Sequence, residues 1–179
     1  MLDRSSRLIL GLAVLAAGIG GYVQHRHLQP EATDSAWFGQ QAPALVLPDL
    51  DGKSHRLSDY RGHRVLLNFW ASWCGPCLDE MPALNRTQAK FGEQGAIVVG
   101  IAMDEPGRIR AFLATHPVSY PILLGQLDSP STTQKLGDTR EVLPYSVLID
   151  ADGRILATHA GALSAPQLEQ WLAPGHGKF

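Results

Sequence analysis

Continuous apolar runs are the strongest pattern in this chain. Val65–Trp70 is apolar at every position except Asn68, and Ala96–Met103 is apolar or glycine throughout. Runs of this length without alternation are typical of strands that are buried on both faces. Shorter apolar segments at Pro121–Leu124 and Ser146–Ile149 predict two further strands of the same sheet.

Helical patterns lie between these strands. One helix is expected from Cys74 to about Phe91, and Pro82 should kink it because proline lacks a backbone donor. Three more helices are predicted, at Arg108–Thr115, Ser129–Leu136 and Ser164–Leu172. The second and the third each have a proline in the first turn. The alternation predicts an α/β fold with a central mixed β-sheet and helices on both faces.

Two turn signals predict β-hairpins at either end of this order. Asp51-Gly52 separates Ala44–Leu47 from His55–Leu57, which predicts an N-terminal β-hairpin. Asp150–Gly153 precedes Ile155–His159, which should pair with the strand before the turn.

The N-terminus differs from the rest of the chain. Leu8–Val23 is uncharged and almost wholly apolar, and it follows Arg4 and Arg7. As a helix it would span about 24 Å, slightly less than a bilayer core. We expect a signal-anchor segment over residues 1–28, a linker over 29–41 and a globular domain over 42–174. The arginines should keep the N-terminus cytoplasmic, which places the domain outside the cytoplasm; a cleaved signal and a soluble periplasmic protein is the alternative.

Composition and charge exclude little but favour an ordinary globular domain. The chain has 179 residues and a formal net charge of -2, with no basic stretch that would indicate a nucleic-acid partner. Trp37 and Phe38, at the end of the predicted linker, could pack on the domain or touch a membrane surface.

The two cysteines of the chain form one Cys-x-x-Cys motif, Trp73-Cys74-Gly75-Pro76-Cys77. With a helix beginning at the motif, Cys74 lies at the helix N-terminus, where backbone N–H groups and the helix dipole stabilise a thiolate. Cys77 should be the more buried thiol. A zinc site would need about four ligands, and a structural disulfide closing so short a loop would add little stability, so we interpret the pair as a redox centre.

The motif and its surroundings resemble the membrane-anchored TlpA/ResA/DsbE-type thiol–disulfide oxidoreductases, which have a thioredoxin-like fold. The resemblance rests on the segment from Val65 to Cys77, its lead-in Leu57–Gly62, the Glu80-Met81-Pro82 triplet and the later segment Leu143–Asp150. It covers roughly residues 40 to 172. It implies thiol–disulfide exchange and a cis Leu143–Pro144 peptide facing the cysteines, where an extended substrate chain could pair with the backbone.

The resemblance also raises the question of what accepts the proton of Cys77. Thioredoxins carry a buried Asp where this chain has Asn68, and an amide does not titrate; we expect Asn68 to bond nearby backbone groups. Glu80 is one candidate acceptor, expected on the exposed part of its helix. Asp104, at the end of a predicted strand, is the preferred candidate because functional groups gather at that edge of α/β sheets.

The remaining expectations concern the activity and its partners. Trp73 should cover the disulfide, and Pro76 should fix the helix start; a Gly75-Pro76 pair resembles that of reducing members. We therefore predict a periplasmic protein-disulfide reductase with no cofactor or metal, re-reduced by a membrane electron donor of unknown identity. The resemblance implies a place in cytochrome c biogenesis. Two alternatives stay open: a peroxiredoxin-like peroxidase and a Cu(I)-binding chaperone that uses both thiolates.

Overall fold

The computed structural model describes residues 37–175. The predicted signal-anchor segment, 1–28, and most of the predicted linker lie outside the described residues. Within 37–175, no helix combines the length and the apolar character that crossing a bilayer requires.

A five-stranded mixed sheet forms the centre of the domain. Its strands are β3 Val65–Trp70, β4 Ile97–Ala102, β5 Ile122–Leu124, β6 Tyr145–Ile149 and β7 Ile155–Ala160. They lie in the order β5-β4-β3-β6-β7, with β3 parallel to β4 and antiparallel to β6. Every residue of β3 is buried, as the continuous apolar run predicts for a central strand.

The predicted N-terminal hairpin is present as β1 (Val46–Pro48) and β2 (Ser54–Arg56), which pair antiparallel. A bridge between Asp49 and Leu123 joins this hairpin to β5 at the edge of the main sheet.

Three α-helices pack on one face of the sheet: α1 (Gly75–Phe91), α2 (Pro106–Leu113) and α3 (Ala165–Leu172). Leu66 and Trp70 of β3 point to this same face. Leu66 packs against α1 and α3, and Trp70 packs against α1 and α2. The helices expected on the other face are present there only as two 3-10 turns, Leu57–Tyr60 and Gln134–Leu136. Both β3-α1-β4 and β4-α2-β5 advance in the same direction across the sheet, and right-handed crossovers then place both helices on the same side.

The opposite face of the sheet is covered by the hairpin and by irregular segments. The alternate residues of β3, including Leu67 and Phe69, pack there against Leu47 and against Leu57 of a 3-10 turn, Leu57–Tyr60. This side has no α-helix among residues 37–175.

The predicted helix over Ser129–Leu136 is wrong. Only a single 3-10 turn, Gln134–Leu136, forms there, and the Ser129–Pro130 peptide is cis. The buried polar side chains Ser131 and Thr132 bond within the loop instead, which competes with helix formation.

The described part of the predicted linker lies against the domain. The Gly39 N–H donates to the Ile155 carbonyl at 2.8 Å, and the Ile155 N–H donates to the Gln40 carbonyl at 2.9 Å. Trp37 packs on the hydrophobic core beneath the hairpin, whereas Phe38 is 58% exposed.

Candidate active site

The cysteine pair lies where β3 passes into α1. Cys74 is the N-cap residue of α1, and its Sγ accepts a hydrogen bond from the Cys77 N–H at 3.3 Å. Pro76 lies in the first helical turn, where its missing N–H costs nothing, and Gly75 and Pro76 are exposed. The two cysteines form a disulfide. On reduction, the Cys74 sulfur remains at the positive end of the helix, which favours its thiolate.

Cys77 is the more buried of the two cysteines, as predicted. Cys74 is 5% exposed and Cys77 only 1%. Trp73, directly before them, is 64% exposed, so its indole lies on the surface rather than in the core. The reachable thiol is therefore Cys74, and an exposed aromatic side chain lies next to it in the chain.

Glu80 is buried, which contradicts the expectation that it lies on the exposed part of its helix. The residue is 4% exposed; its Oε1 accepts the Leu163 N–H at 2.8 Å and its Oε2 accepts the Asn68 side-chain amide at 3.3 Å. Burial raises the pKa of Glu80 to about 7, although both hydrogen bonds act in the opposite direction. A carboxyl group that is partly ionised at neutral pH thus lies inside the domain, one helical turn after Cys77.

Asn68 connects Glu80 to the neighbouring strand. Its amide also donates to the Ser146 Oγ of β6 at 3.1 Å, and the residue is 1% exposed. The expectation that it bonds backbone groups is wrong, because both of these partners are side chains. A neutral amide here holds the Glu80 carboxylate without adding a second titrating group.

Asp104 lies at the C-terminal end of β4, at the predicted edge of the sheet, and is 8% exposed. Its carboxylate accepts the Ser72 Oγ–H at 2.5 Å, the Ser72 N–H at 3.3 Å and the Glu105 N–H at 2.8 Å. These bonds fix the turn that precedes Cys74. The structure thus ties Asp104 to the active-site loop, and its predicted role as acceptor of the Cys77 proton stays a prediction.

The Leu143–Pro144 peptide is cis, as the resemblance implies. Leu143 packs against the hydrophobic cluster that contains both cysteines, and the Pro144 carbonyl accepts the Gly161 N–H at 2.8 Å. Val142, one residue earlier, is 36% exposed. The segment before β6 therefore lies beside the disulfide and borders solvent.

Asp138 organises the turn before that segment, and the sequence reasoning missed it. The residue is 3% exposed; its N–H donates to the Thr133 carbonyl at 3.1 Å, and its own carbonyl accepts the Glu141 N–H at 3.4 Å. Burial raises the pKa of Asp138, and the nearby backbone N–H groups of residues 140–142 act against the rise. No periodic or motif signal marks this residue, because its partners are local backbone groups of an irregular loop.

Within residues 37–175, no three His, Cys, Asp or Glu side chains are grouped closely enough to hold a metal ion. The predicted absence of a metal or other cofactor stays a prediction.

Comparison with known proteins identifies the family. The redoxin family model matches residues 38–172. The thiol-disulfide oxidoreductase ResA of Geobacillus kaustophilus is 32% identical over 96% of this chain and 97% of its own length, and the ResA of Geobacillus thermodenitrificans is 34% identical over 93% and 92%. The chain belongs to the redoxin family, among its ResA-like thiol–disulfide oxidoreductases.

Structural similarity agrees with this assignment. A protein from Chlorobium tepidum, assigned as a thiol:disulfide interchange protein DsbE, shares 34% identity and a TM-score of 0.64, covering 73% of this chain and 89% of its own. The predicted thioredoxin-like fold, with a mixed sheet flanked by helices, is confirmed. So is the predicted enzyme class: the chain is a protein-disulfide reductase that carries a Cys-x-x-Cys pair.

Proposed function

We propose that this chain is an extracytoplasmic reductase of protein disulfides in which Cys74 attacks, Cys77 resolves and Glu80 takes the proton of Cys77. The observation that supports it most is a buried carboxyl group with a pKa of about 7 on the same helix as the resolving thiol.

In the first step, the Cys74 thiolate attacks one sulfur of a substrate disulfide. The substrate S–S bond breaks, a mixed disulfide forms at Cys74, and the second substrate sulfur leaves as a thiolate. Cys74 suits this step because it is the more exposed thiol and caps the helix.

In the second step, Cys77 loses its proton and attacks the Cys74 Sγ. The mixed disulfide breaks, the first substrate sulfur leaves as a thiolate, and the Cys74–Cys77 bond forms. The substrate gains two electrons in total, and the protein reaches the oxidised state that the structure shows. A dithiol on a membrane electron donor must then reduce the pair again.

Glu80 suits the proton transfer for two physical reasons. Residues three apart on a helix have Cβ atoms about 5–6 Å apart, so the side chains of Cys77 and Glu80 leave α1 at neighbouring positions of one face. A base whose pKa is close to the working pH combines a useful ionised fraction with sufficient driving force. Asp104, by contrast, already accepts three hydrogen bonds from residues 72 and 105.

The substrate-docking part of the proposal rests on the cis-proline segment. No hydrogen bond of the Leu143 backbone is formed within the described range, and this residue lies beside the cysteines. An extended substrate chain could pair with it as an added strand. Exposed apolar side chains of Trp73 and Val142 border the same place.

The proposal also includes the location of the protein and its natural substrates. The apolar run after two arginines supports a single anchor in the inner membrane with a periplasmic domain. Apocytochromes c are included as substrates on the basis of the family resemblance alone.

Trapping tests the exchange mechanism. In Cys77→Ser, the mixed disulfide at Cys74 cannot be resolved, so substrate proteins should stay attached and be released by added dithiol. Cys74→Ser is the matched control and should trap none. Equal recovery from both variants, or no attached protein from Cys77→Ser, would refute the assigned order of attack.

A further inference from the structure

Two buried polar groups on the sheet face that packs against the Glu80 helix have no hydrogen-bond partner in the described part of the chain. They are the Tyr120 hydroxyl and the Trp70 indole N–H. Tyr120 is 5% exposed and Trp70 is fully buried. Buried polar groups are almost always paired, so each such group calls for a physical account.

Both groups lie on the face of the sheet that carries Glu80. Asn68, which holds Glu80, is in register with Gly100 of β4. A Cβ at Gly100 would lie 3.0 Å from the Tyr120 Cε2 and 3.3 Å from the Trp70 Nε1. The missing side chain thus lets both rings approach the sheet beside Asn68.

The Glu80 carboxylate can accept further hydrogen bonds. Each Glu80 oxygen accepts one hydrogen bond, from Leu163 and from Asn68, whereas an ionised carboxylate offers about four acceptor positions. Glu80 is also close enough to raise the pKa of Tyr120 electrostatically, in addition to the larger effect of burial. An unpaired donor and an under-bonded acceptor are therefore buried on the same side of the sheet.

We propose that Tyr120 is a positioning residue for Glu80. The Tyr120 hydroxyl donates to one buried water, which in turn donates a hydrogen bond to the ionised Glu80 carboxylate. The bond forms as Glu80 loses its proton and weakens when Glu80 takes the proton of Cys77. This inference rests on the proposed function of Glu80 and adds a group that favours its ionised form.

The other titratable groups facing Glu80 are few. Cys77 lies one turn earlier on α1, and His159 of β7 is in register with Ser146, the second partner of Asn68. The oxidised protein removes Cys77 from the titration because a disulfide does not ionise. Measurements should therefore begin with that state and follow the His159 ring separately.

The test is a ¹³C NMR titration of the Glu80 carboxyl in the oxidised full-length protein. Tyr120→Phe should raise the carboxyl pKa by roughly half a unit to one unit, because the ionised form loses a hydrogen bond. Tyr60→Phe is the matched control: this half-buried tyrosine packs on the opposite face and should leave the pKa unchanged. An unshifted carboxyl in Tyr120→Phe would overturn the proposal.

A second variant avoids dependence on the folding of Tyr120→Phe. A difluorotyrosine at position 120 keeps the ring and the hydroxyl but makes the hydroxyl a stronger donor, so the Glu80 pKa should fall. A pKa that stays constant or rises would contradict the proposed bond.

The rate of mixed-disulfide resolution separates the two proposals. If Tyr120→Phe moves both the carboxyl pKa and the pH profile of resolution, both proposals hold. If the carboxyl pKa moves but the profile does not, Tyr120 acts as proposed and Glu80 is not the proton acceptor. If Glu80→Gln abolishes the pH dependence of the resolution rate while Tyr120→Phe leaves the carboxyl pKa unchanged, only the proposed role of Tyr120 fails.

Discussion

Two buried carboxylates, Glu80 and Asp104, lie near the cysteine pair in different surroundings. Glu80 accepts one backbone N–H and one amide, and burial raises its pKa to about 7. Asp104 accepts an O–H and two backbone N–H groups, two of these three bonds from Ser72 in the turn before Cys74. Burial alone therefore does not indicate a role in proton transfer. A carboxylate with few donors can exchange a proton at neutral pH, whereas one saturated by a loop holds that loop in place.

The largest expected effect is on the rate at which the mixed disulfide is resolved, and it should differ between the Glu80 and Asp104 variants. Glu80→Gln should slow resolution of the mixed disulfide at neutral pH by about 100-fold or more, because positioned proton transfer contributes about 10²–10⁴-fold. Asp104→Asn is the comparison, and we expect it to keep the wild-type pH dependence. Rapid-quench analysis of the mixed disulfide measures both rates. If the Asp104 variant lost the pH dependence and the Glu80 variant kept it, the assignment would be reversed.

The second prediction concerns stability as a function of pH. The pKa of Glu80 rises from 4.5 in the unfolded chain to about 7 in the folded protein, so the folded state binds the proton more tightly. The stability from this proton is fully present below about pH 4.5 and is lost as pH rises through 7. Relative to Glu80→Gln, the wild type should lose about 3 kcal/mol of unfolding free energy between pH 4.5 and 8. Denaturant unfolding at both pH values measures the difference, and a pH-independent difference would show that the carboxyl does not titrate in this range.

The third prediction is a loss of stability at the other carboxylate. Asp104→Ala leaves the Ser72 hydroxyl and two N–H groups without their acceptor, which should cost about 2 kcal/mol. Ser72→Ala removes one of the same bonds and should cost less. A smaller loss in Asp104→Ala than in Ser72→Ala would contradict the role of Asp104 in fixing the loop.

Much of the fold could be predicted from local sequence signals. The continuous apolar runs identify β3 and β4, and the helix predicted to begin at Ser164 is α3, with Ser164 as its N-cap residue. The loop between β5 and β6 could not be predicted, because its polar residues form hydrogen bonds within the loop and leave no periodic pattern in the sequence.

The burial of Glu80 could have been found in the sequence. Cys77, Glu80, Met81 and Leu84 follow the i, i+3, i+4, i+7 spacing of one helix face, and all four are buried. Charge alone suggested an exposed position, although the helical period places Glu80 among apolar residues. The contacts of Tyr120 and Asp138 depend instead on long-range packing and loop geometry, for which the sequence carries no comparable signal.

The central claim is that the proton of Cys77 passes to the Glu80 carboxyl when the Cys74–Cys77 disulfide forms. Time-resolved infrared spectroscopy of protein labelled with ¹³C-glutamate can follow that carboxyl during resolution of a mixed disulfide above pH 7. The protonated-carboxyl band should appear at the rate at which Cys74–Cys77 forms, and it should be missing in Glu80→Gln. Ring closure at the wild-type rate with no change in the labelled carboxyl band would contradict the account.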